Sequence, residues 1–128
     1  MRVVVDASAV SAVVLLEPEG STIRAHCEGE TILAPTLLDY ELANVVRTRL
    51  RKHPQDEVAA RALSYGLPAL GIQRVGVRST DILNLSLRTG LTPYDAAYLW
   101  VAISFDAELI TLDRELAKAD RLLRGDPA

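Results

Sequence analysis

The feature that most constrains the fold is a short apolar run near the start of the chain that ends in an acidic residue. Residues 3–5 are three consecutive valines, and Asp6 follows them directly. Such β-branched runs are typical of strands buried on both faces of a parallel sheet. Ligands of open α/β sheets gather at the carboxyl ends of the strands, so Asp6 lies where chemistry is expected. The alternative is that Asp6 or Ser8 only caps the following helix.

Hydrophobic periodicity along the rest of the chain predicts strands that alternate with helices. Further strands are predicted at 31–34, 72–75 and 109–111, and helices at 9–16, 21–28, 36–52, 56–69 and 80–88, with two more that begin near Thr92 and Asp113. This order predicts an α/β fold with a small parallel sheet and helices on both faces. Right-handed crossovers would bring the carboxyl ends of the strands to one edge.

The length and composition indicate a single cytoplasmic domain. The chain of 128 residues has the size of one domain, 1–128, and we expect its polar tail, 120–128, to fray. Its single cysteine, Cys27, cannot form an intramolecular disulfide, which fits a reducing cytosol. The apolar run at 96–103 is far shorter than the about 20 residues that span a bilayer. We therefore expect a soluble protein with no membrane contact.

The charge of the chain argues against a general electrostatic grip on nucleic acid, since the formal net charge is −3. A local grip stays open, because the helix predicted at 36–52 ends in basic residues. These are either a solvated helix end, which cations favour, or a phosphate contact. The cluster consists of Arg47, Arg49, Arg51 and Lys52.

The helix at 36–52 also carries a carboxylate on its apolar face. Glu41 lies four residues after Leu37 and four before Val45, a spacing that puts the three on one side of the helix. A carboxylate on a buried stripe is costly unless a cation pairs with it, and that cation is either an arginine or a metal ion. We expect Glu41 to be buried near Asp6 without an arginine partner.

Two further carboxylates stand at predicted helix starts. Asp95 is three residues after Thr92, which resembles a capping box, and Asp113 begins the last helix, so capping explains each of them alone. The helix after Asp95 is apolar almost all round, however, which indicates a buried helix. Its N-terminus therefore points into the molecule.

Together these residues form a set of four carboxylates expected at one edge of the sheet: Asp6, Glu41, Asp95 and Asp113. Like charges this close repel one another unless cations are present. Mg²⁺ or Mn²⁺ takes oxygen ligands and is commonly held by a few carboxylates and substrate phosphates. Such ions activate water and stabilise the oxygens of an in-line phosphoryl displacement. The set therefore suggests metal-assisted phosphodiester or phosphate chemistry.

Four blocks of the sequence resemble the PIN-domain nucleases, and most of all the VapC toxins of bacterial and archaeal toxin–antitoxin pairs. The blocks are 4–8 (VVDAS), 40–44 (YELAN), 91–99 (LTPYDAAYL) and 109–116 (LITLDREL), and they cover the chain in order. The resemblance implies a PIN-like fold and a Mg²⁺- or Mn²⁺-dependent endoribonuclease. It also implies an RNA substrate, a homodimer and a small VapB-type antitoxin. The implied metal-site residues are Asp6, Glu41, Asp95 and Asp113, and the implied supporting polar residues are Ser8 and Thr111.

Other functions fit the sequence less well. A signalling receiver domain needs a phosphoacceptor Asp after its central strand and a Lys after its last strand, but the lysines here are Lys52 and Lys118. A phosphatase of the haloacid dehalogenase type needs a second Asp at the position of Ser8. The alternatives that stay open are an RNA-processing PIN nuclease without an antitoxin and a PIN module that binds RNA or protein without cutting.

Overall fold

A computed structural model describes residues 1–125, and within them four parallel strands are surrounded by seven α-helices. The strands are β1 (Arg2–Val5), β2 (Thr31–Pro35), β3 (Gln73–Val75) and β4 (Glu108–Ile110). The helices are α1 (Ala7–Val14), α2 (Gly20–Cys27), α3 (Leu37–Lys52), α4 (Glu57–Arg61), α5 (Ser79–Thr89), α6 (Pro93–Ser104) and α7 (Arg114–Leu123). The predicted α/β class with a small parallel sheet is confirmed.

The sheet has the strand order β3-β2-β1-β4, and each neighbouring pair is parallel. The chain moves outward from β1 through β2 to β3 and then returns to the other side of β1 as β4. The order of the strands therefore reverses at β1, and such a switch point is where open α/β sheets bind ligands. Asp6 follows β1 and Thr111 follows β4, so the topology brings their backbones together at this point.

The valine run forms the centre of the core. Val3, Val4 and Val5 are 2%, 0% and 3% exposed. Because successive side chains of a strand point to opposite faces, both faces of β1 are covered. Helix α6 packs across β1, β2 and β4, while residues of α1 and α2 line a small cavity together with Val5. Within residues 1–125 there is no helix of the length and apolarity that a bilayer crossing requires.

Helices α1 and α2 approach each other closely at Gly20. A Cβ atom on Gly20 would lie 2.3 Å from the carbonyl oxygen of Ala12, far inside van der Waals contact. The position therefore requires glycine because of the neighbouring helix rather than because of its own dihedral angles. This contact fixes the position of α2 relative to α1.

The single helix predicted at 56–69 is wrong. Helix α4 ends at Arg61, a π-helical turn covers Ala62–Gly66, and a 3₁₀ turn covers Pro68–Leu70. Gly66 comes close to Val14 of α1, and Pro68 cannot continue an α-helical hydrogen-bond ladder. Packing and proline together therefore divide the segment.

Several boundaries also differ from the prediction. Helix α1 begins at Ala7 rather than at residue 9, because Asp6 caps it. Strand β4 ends at Ile110, so Thr111 lies outside the ladder. The frayed tail predicted from residue 120 is wrong as far as Leu123, where α7 ends. The last part of the predicted domain, 126–128, lies outside the described residues.

Candidate functional site

Asp6 is both a helix cap and the most buried carboxylate of the predicted set. The residue is only 4% exposed. Its Oδ1 accepts hydrogen bonds from the Ala9 N–H at 3.0 Å and from the Ser8 hydroxyl at 2.7 Å. Oδ2 accepts one from the Thr111 hydroxyl at 2.5 Å. A carboxylate offers about four acceptor positions. Three are used, and one position on Oδ2 remains.

Ser8 and Thr111 join the ends of β1 and β4 around Asp6. Ser8 Oγ accepts the N–H of Leu112 at 3.0 Å, and Thr111 Oγ1 accepts the N–H of Asp113 at 2.9 Å. Each hydroxyl thus donates to Asp6 and accepts from the loop after β4. The network holds the Asp6 carboxylate rigidly at the switch point of the sheet.

Burial of Asp6 raises its pKa above the usual value of an aspartate. The hydrogen bonds from Thr111, Ser8 and Ala9 act in the opposite direction, because they stabilise the anion, and the neighbouring charge of Asp113 adds to the rise in pKa. Desolvation is the largest of these effects. An added cation would therefore stabilise ionised Asp6.

Asp113 also divides its oxygens between the fold and the site. Its Oδ1 accepts the N–H groups of Glu115 at 2.9 Å and Leu116 at 3.1 Å, and so caps α7. No residue in the range 1–125 donates a hydrogen bond to Oδ2. Asp113 therefore caps α7 with Oδ1, as the capping alternative predicts. Its Oδ2 is available to a ligand.

Asp95 differs from Asp6 and Asp113 because its carboxylate does not cap a helix. Thr92 Oγ1 accepts the backbone N–H of Asp95 at 3.2 Å, so Thr92 is the cap of α6. The reciprocal bond of a capping box, from the Thr92 N–H to the Asp95 side chain, is absent from the described residues, and none of them donates to this carboxylate. The capping-box interpretation of Asp95 is therefore wrong for its side chain.

The surroundings of Asp95 hold it in an unfavourable electrostatic position. Burial is the largest effect, and the charges of other carboxylates add to it, so that the pKa of Asp95 is raised to about 6. These carboxylates are Asp113, Asp6, Glu41 and Glu115, in decreasing order of effect. Asp6, Glu41 and Asp113 thus all lie within electrostatic range of Asp95.

Glu41 is half-buried rather than buried, so that part of the prediction is wrong. Its helical neighbours Leu37 and Val45 are also only partly buried, whereas the core line of α3 consists of Leu38, Leu42 and Val46. Glu41 therefore lies at the margin of the core. The expected absence of an arginine partner holds within residues 1–125, where the Tyr98 hydroxyl donates to Glu41 Oε1 at 2.6 Å.

The oxygen donors fit a hard divalent cation. Described residues 1–125 contain no preassembled group of three or more metal-ligating side chains. Mg²⁺, however, commonly keeps several waters and uses one or two carboxylates together with substrate phosphates. The unengaged carboxylate of Asp95, with the free positions on Asp6 and Asp113, supplies such ligands. A cation would also relieve the repulsion that raises the pKa of Asp95.

Sequence reasoning missed two residues of this neighbourhood. Tyr98 was part of an apolar helix in the pattern, yet its position three residues after Asp95 puts both on one side of α6. Glu115 stands two residues after Asp113 and adds a fourth negative charge near Asp95. Both positions could have been identified from their spacing to a predicted site residue.

The basic cluster at the end of α3 serves partly to hold the fold together. Arg49 forms ion pairs with Glu17 and Asp56, each at 3.4 Å. Arg47, Arg51 and Lys52 are exposed. Arg49 therefore links α3 to neighbouring segments of the fold, and a phosphate contact by the other three stays a prediction.

Comparison with known proteins identifies relatives along nearly the whole chain. The family model described as PIN domain matches residues 3–122. Ribonuclease VapC3 of Pyrobaculum aerophilum is 32% identical over 123 residues, which cover 92% of this chain and 94% of the relative. Ribonuclease VapC12 of Mycobacterium tuberculosis is 26% identical over 117 residues, 91% of each chain. The crystal structure of PAE2754 from Pyrobaculum aerophilum matches with a TM-score of 0.76 at 26% identity, over 93% of this chain and 84% of that one.

Proposed function

The chain belongs to the PIN-domain family, and on that premise we propose that it is a Mg²⁺- or Mn²⁺-dependent endoribonuclease, the toxin of a VapBC-type toxin–antitoxin pair. The names of the two ribonuclease relatives support the substrate and the toxin role. Both relatives are matched over more than nine-tenths of their length. We expect the protein to be cytoplasmic, because its proposed substrate is RNA.

One observation carries the proposal of a metal-dependent reaction. Burial raises the pKa of the Asp95 carboxyl to about 6, and the charges of Asp113, Asp6 and Glu41 add to the rise; no described residue donates a hydrogen bond to it. An arrangement of carboxylates that is unfavourable without a cation is typical of a metal site rather than of a structural cap.

The proposed metal-site residues have different tasks in holding the reaction centre. Asp6 is fixed by Ser8 and Thr111 and presents Oδ2, while Asp113 is fixed by the start of α7 and presents its own Oδ2. Asp95 presents both oxygens from the first turn of α6. When bound, a divalent cation would activate water and stabilise the charge on the leaving oxygen. Hydrolysis in which water displaces the 3′ oxygen from phosphorus would leave one end with a 5′-phosphate and the other with a 3′-hydroxyl.

RNA cleavage by the purified protein tests this function. We expect cleavage with Mg²⁺ or Mn²⁺ and none with excess EDTA, and the new ends should carry a 5′-phosphate that ligation detects. A matched pair of variants sharpens the assay: Asp95→Asn should abolish cleavage, whereas Asp81→Asn, which changes an aspartate on α5 that pairs with Arg78, should retain it. Undiminished cleavage in EDTA would contradict the metal dependence. An RNA-binding protein that never cleaves would indicate the non-cutting PIN module.

The toxin role implies two partners, a second copy of the chain and a small VapB-type antitoxin. We expect a homodimer in solution and an antitoxin with a basic tail, because the carboxylate edge is acidic and attracts a basic peptide. Co-expression with the product of a neighbouring short gene should give a stable complex that no longer cleaves RNA. A cleaving monomer without such a gene would instead indicate an RNA-processing nuclease.

A further inference from the structure

Tyr98 is a core residue whose polar end reaches the carboxylate group. It is 1% exposed in the middle of α6, and its hydroxyl donates to Glu41 Oε1 at 2.6 Å, a contact between residues 57 positions apart in the sequence. Buried tyrosine hydroxyls usually find a hydrogen-bond partner. In this protein the partner is a proposed site residue on another helix, and not a backbone carbonyl of the core.

The contact joins the two helices that carry Glu41 and Asp95. Tyr98 and Asp95 are three residues apart on α6 and therefore lie on the same side of that helix, about one turn from each other. Glu41 stands in the second turn of α3. The hydroxyl thus fixes the glutamate of α3 relative to the aspartate of α6. A tyrosine phenol is protonated at neutral pH, so its hydroxyl is the donor in this contact.

We propose that Tyr98 is a positioning residue that holds Glu41 through Oε1 and leaves Oε2 free for a divalent cation or its water shell. A glutamate side chain at a half-buried position otherwise samples several rotamers, and ordering them on binding costs free energy. Because the Tyr98 hydrogen bond already restricts the side chain of Glu41, part of this free-energy cost is removed from metal binding. This inference rests on the proposed metal-dependent function, in which Glu41 is a member of the metal site.

The conservative variant Tyr98→Phe removes the hydroxyl and keeps the ring that fills the core. We expect its Mn²⁺ affinity, measured by calorimetry at pH 7.5, to be about tenfold weaker, because residues that orient metal ligands commonly contribute 10–100-fold. Thermal unfolding in EDTA establishes that the variant is folded. The matched control is Tyr65→Phe, since the Tyr65 side chain lies at the surface and is 71% exposed, and its Mn²⁺ affinity should equal that of the wild type.

The Glu41→Ala variant separates the positioning of Glu41 by Tyr98 from a general structural effect of Tyr98. In Glu41→Ala there is no carboxylate for Tyr98 to hold, so adding Tyr98→Phe should leave Mn²⁺ affinity unchanged. A drop of equal size in both backgrounds would overturn the proposal, because Tyr98 would then act independently of Glu41. A lower unfolding temperature with unchanged Mn²⁺ affinity in Tyr98→Phe would overturn it too.

The behaviour of the wild-type protein separates the role of Tyr98 from the metal-dependent function. If the wild-type protein neither binds Mn²⁺ nor cleaves RNA, the function is wrong and the role of Tyr98 falls with it. If the wild type does both and Tyr98→Phe binds Mn²⁺ equally well, only the role of Tyr98 is wrong.

Discussion

Replacement of Asp95 by Asn distinguishes a structural role from a metal-binding role by the sign of its effect on stability. The pKa of Asp95 is raised from 3.8 to about 6. One pKa unit corresponds to about 1.4 kcal/mol, so ionised Asp95 opposes folding by at most about 3 kcal/mol. Because the side chain is partly solvated, screening reduces this value, and we expect about 1 kcal/mol. Asp95→Asn should therefore raise the unfolding temperature in EDTA at pH 7.5 by about 4 °C.

The pH dependence of the same measurement follows from the direction of the shift. At pH 7.5 Asp95 is ionised in both the folded and the unfolded state. As the pH falls through 6 the folded protein takes up a proton, which the unfolded chain takes up only near 3.8. Wild-type protein in EDTA should therefore gain stability relative to Asp95→Asn between pH 7.5 and pH 5, and the difference between them should shrink.

Mn²⁺ should reverse the order of the two proteins. At a hundred times its dissociation constant, a ligand that binds only the folded state stabilises it by about 2.7 kcal/mol. Wild-type protein should show that gain, and Asp95→Asn should show little of it and lose RNA cleavage. The control Asp39→Asn should respond to Mn²⁺ like the wild type and be slightly less stable than the wild type, because Arg74 binds Asp39 at 2.7 Å and lowers its pKa.

Two results would refute this reasoning. If Asp95 only supported the helix start, Asp95→Asn would lose up to about 0.5 kcal/mol of favourable interaction with the helix N-terminus and would keep its activity. Lower stability than the wild type in EDTA at pH 7.5 would therefore contradict the repulsion among carboxylates. Full RNA cleavage by the variant would contradict the metal role.

Two further substitutions test how the fold supports the site. Thr111→Val removes the hydroxyl that donates to Asp6 Oδ2 at 2.5 Å, and it should lower the free energy of unfolding in urea by about 1–3 kcal/mol because a buried carboxylate loses one of its three donors; an unchanged midpoint would contradict the role of that hydrogen bond. Gly20→Ala should be destabilising by about 1–3 kcal/mol, since the new Cβ would lie 2.3 Å from the Ala12 carbonyl oxygen. Greater stability, the usual result of Gly→Ala within a helix, would show that α1 and α2 are not held this closely.

The sequence was sufficient to predict the parallel sheet and the position of Asp6 at its carboxyl edge. A valine run buried on both faces has few structural solutions, and a strand followed by Asp6 indicates the carboxyl edge. The strand order was not predictable, because periodicity along the chain does not say which strands are neighbours. That order is what puts Thr111 against Asp6, through the parallel pairing of β1 with β4.

The errors at Glu41 and Tyr98 have a common physical cause. A 3.6-residue pattern gives the side of a helix on which a residue lies, but not how deeply each line of that side is packed. Leu38 is fully buried while Leu37, one residue earlier, is half-buried, and Glu41 follows the line of Leu37. The partner of Glu41 lies 57 residues away on another helix, and only the packing of α6 against the sheet brings it near.

The most direct test of the metal site is the anomalous diffraction signal of Mn²⁺ in crystals of the full chain. We expect a peak beside the carboxylates of Asp95 and Asp6, since both present unengaged oxygens to a hard cation. The peak should be lost in Asp95→Asn. A Mn²⁺ peak at another place, or none beside these carboxylates in crystals of a protein that cleaves RNA with Mn²⁺, would contradict the account.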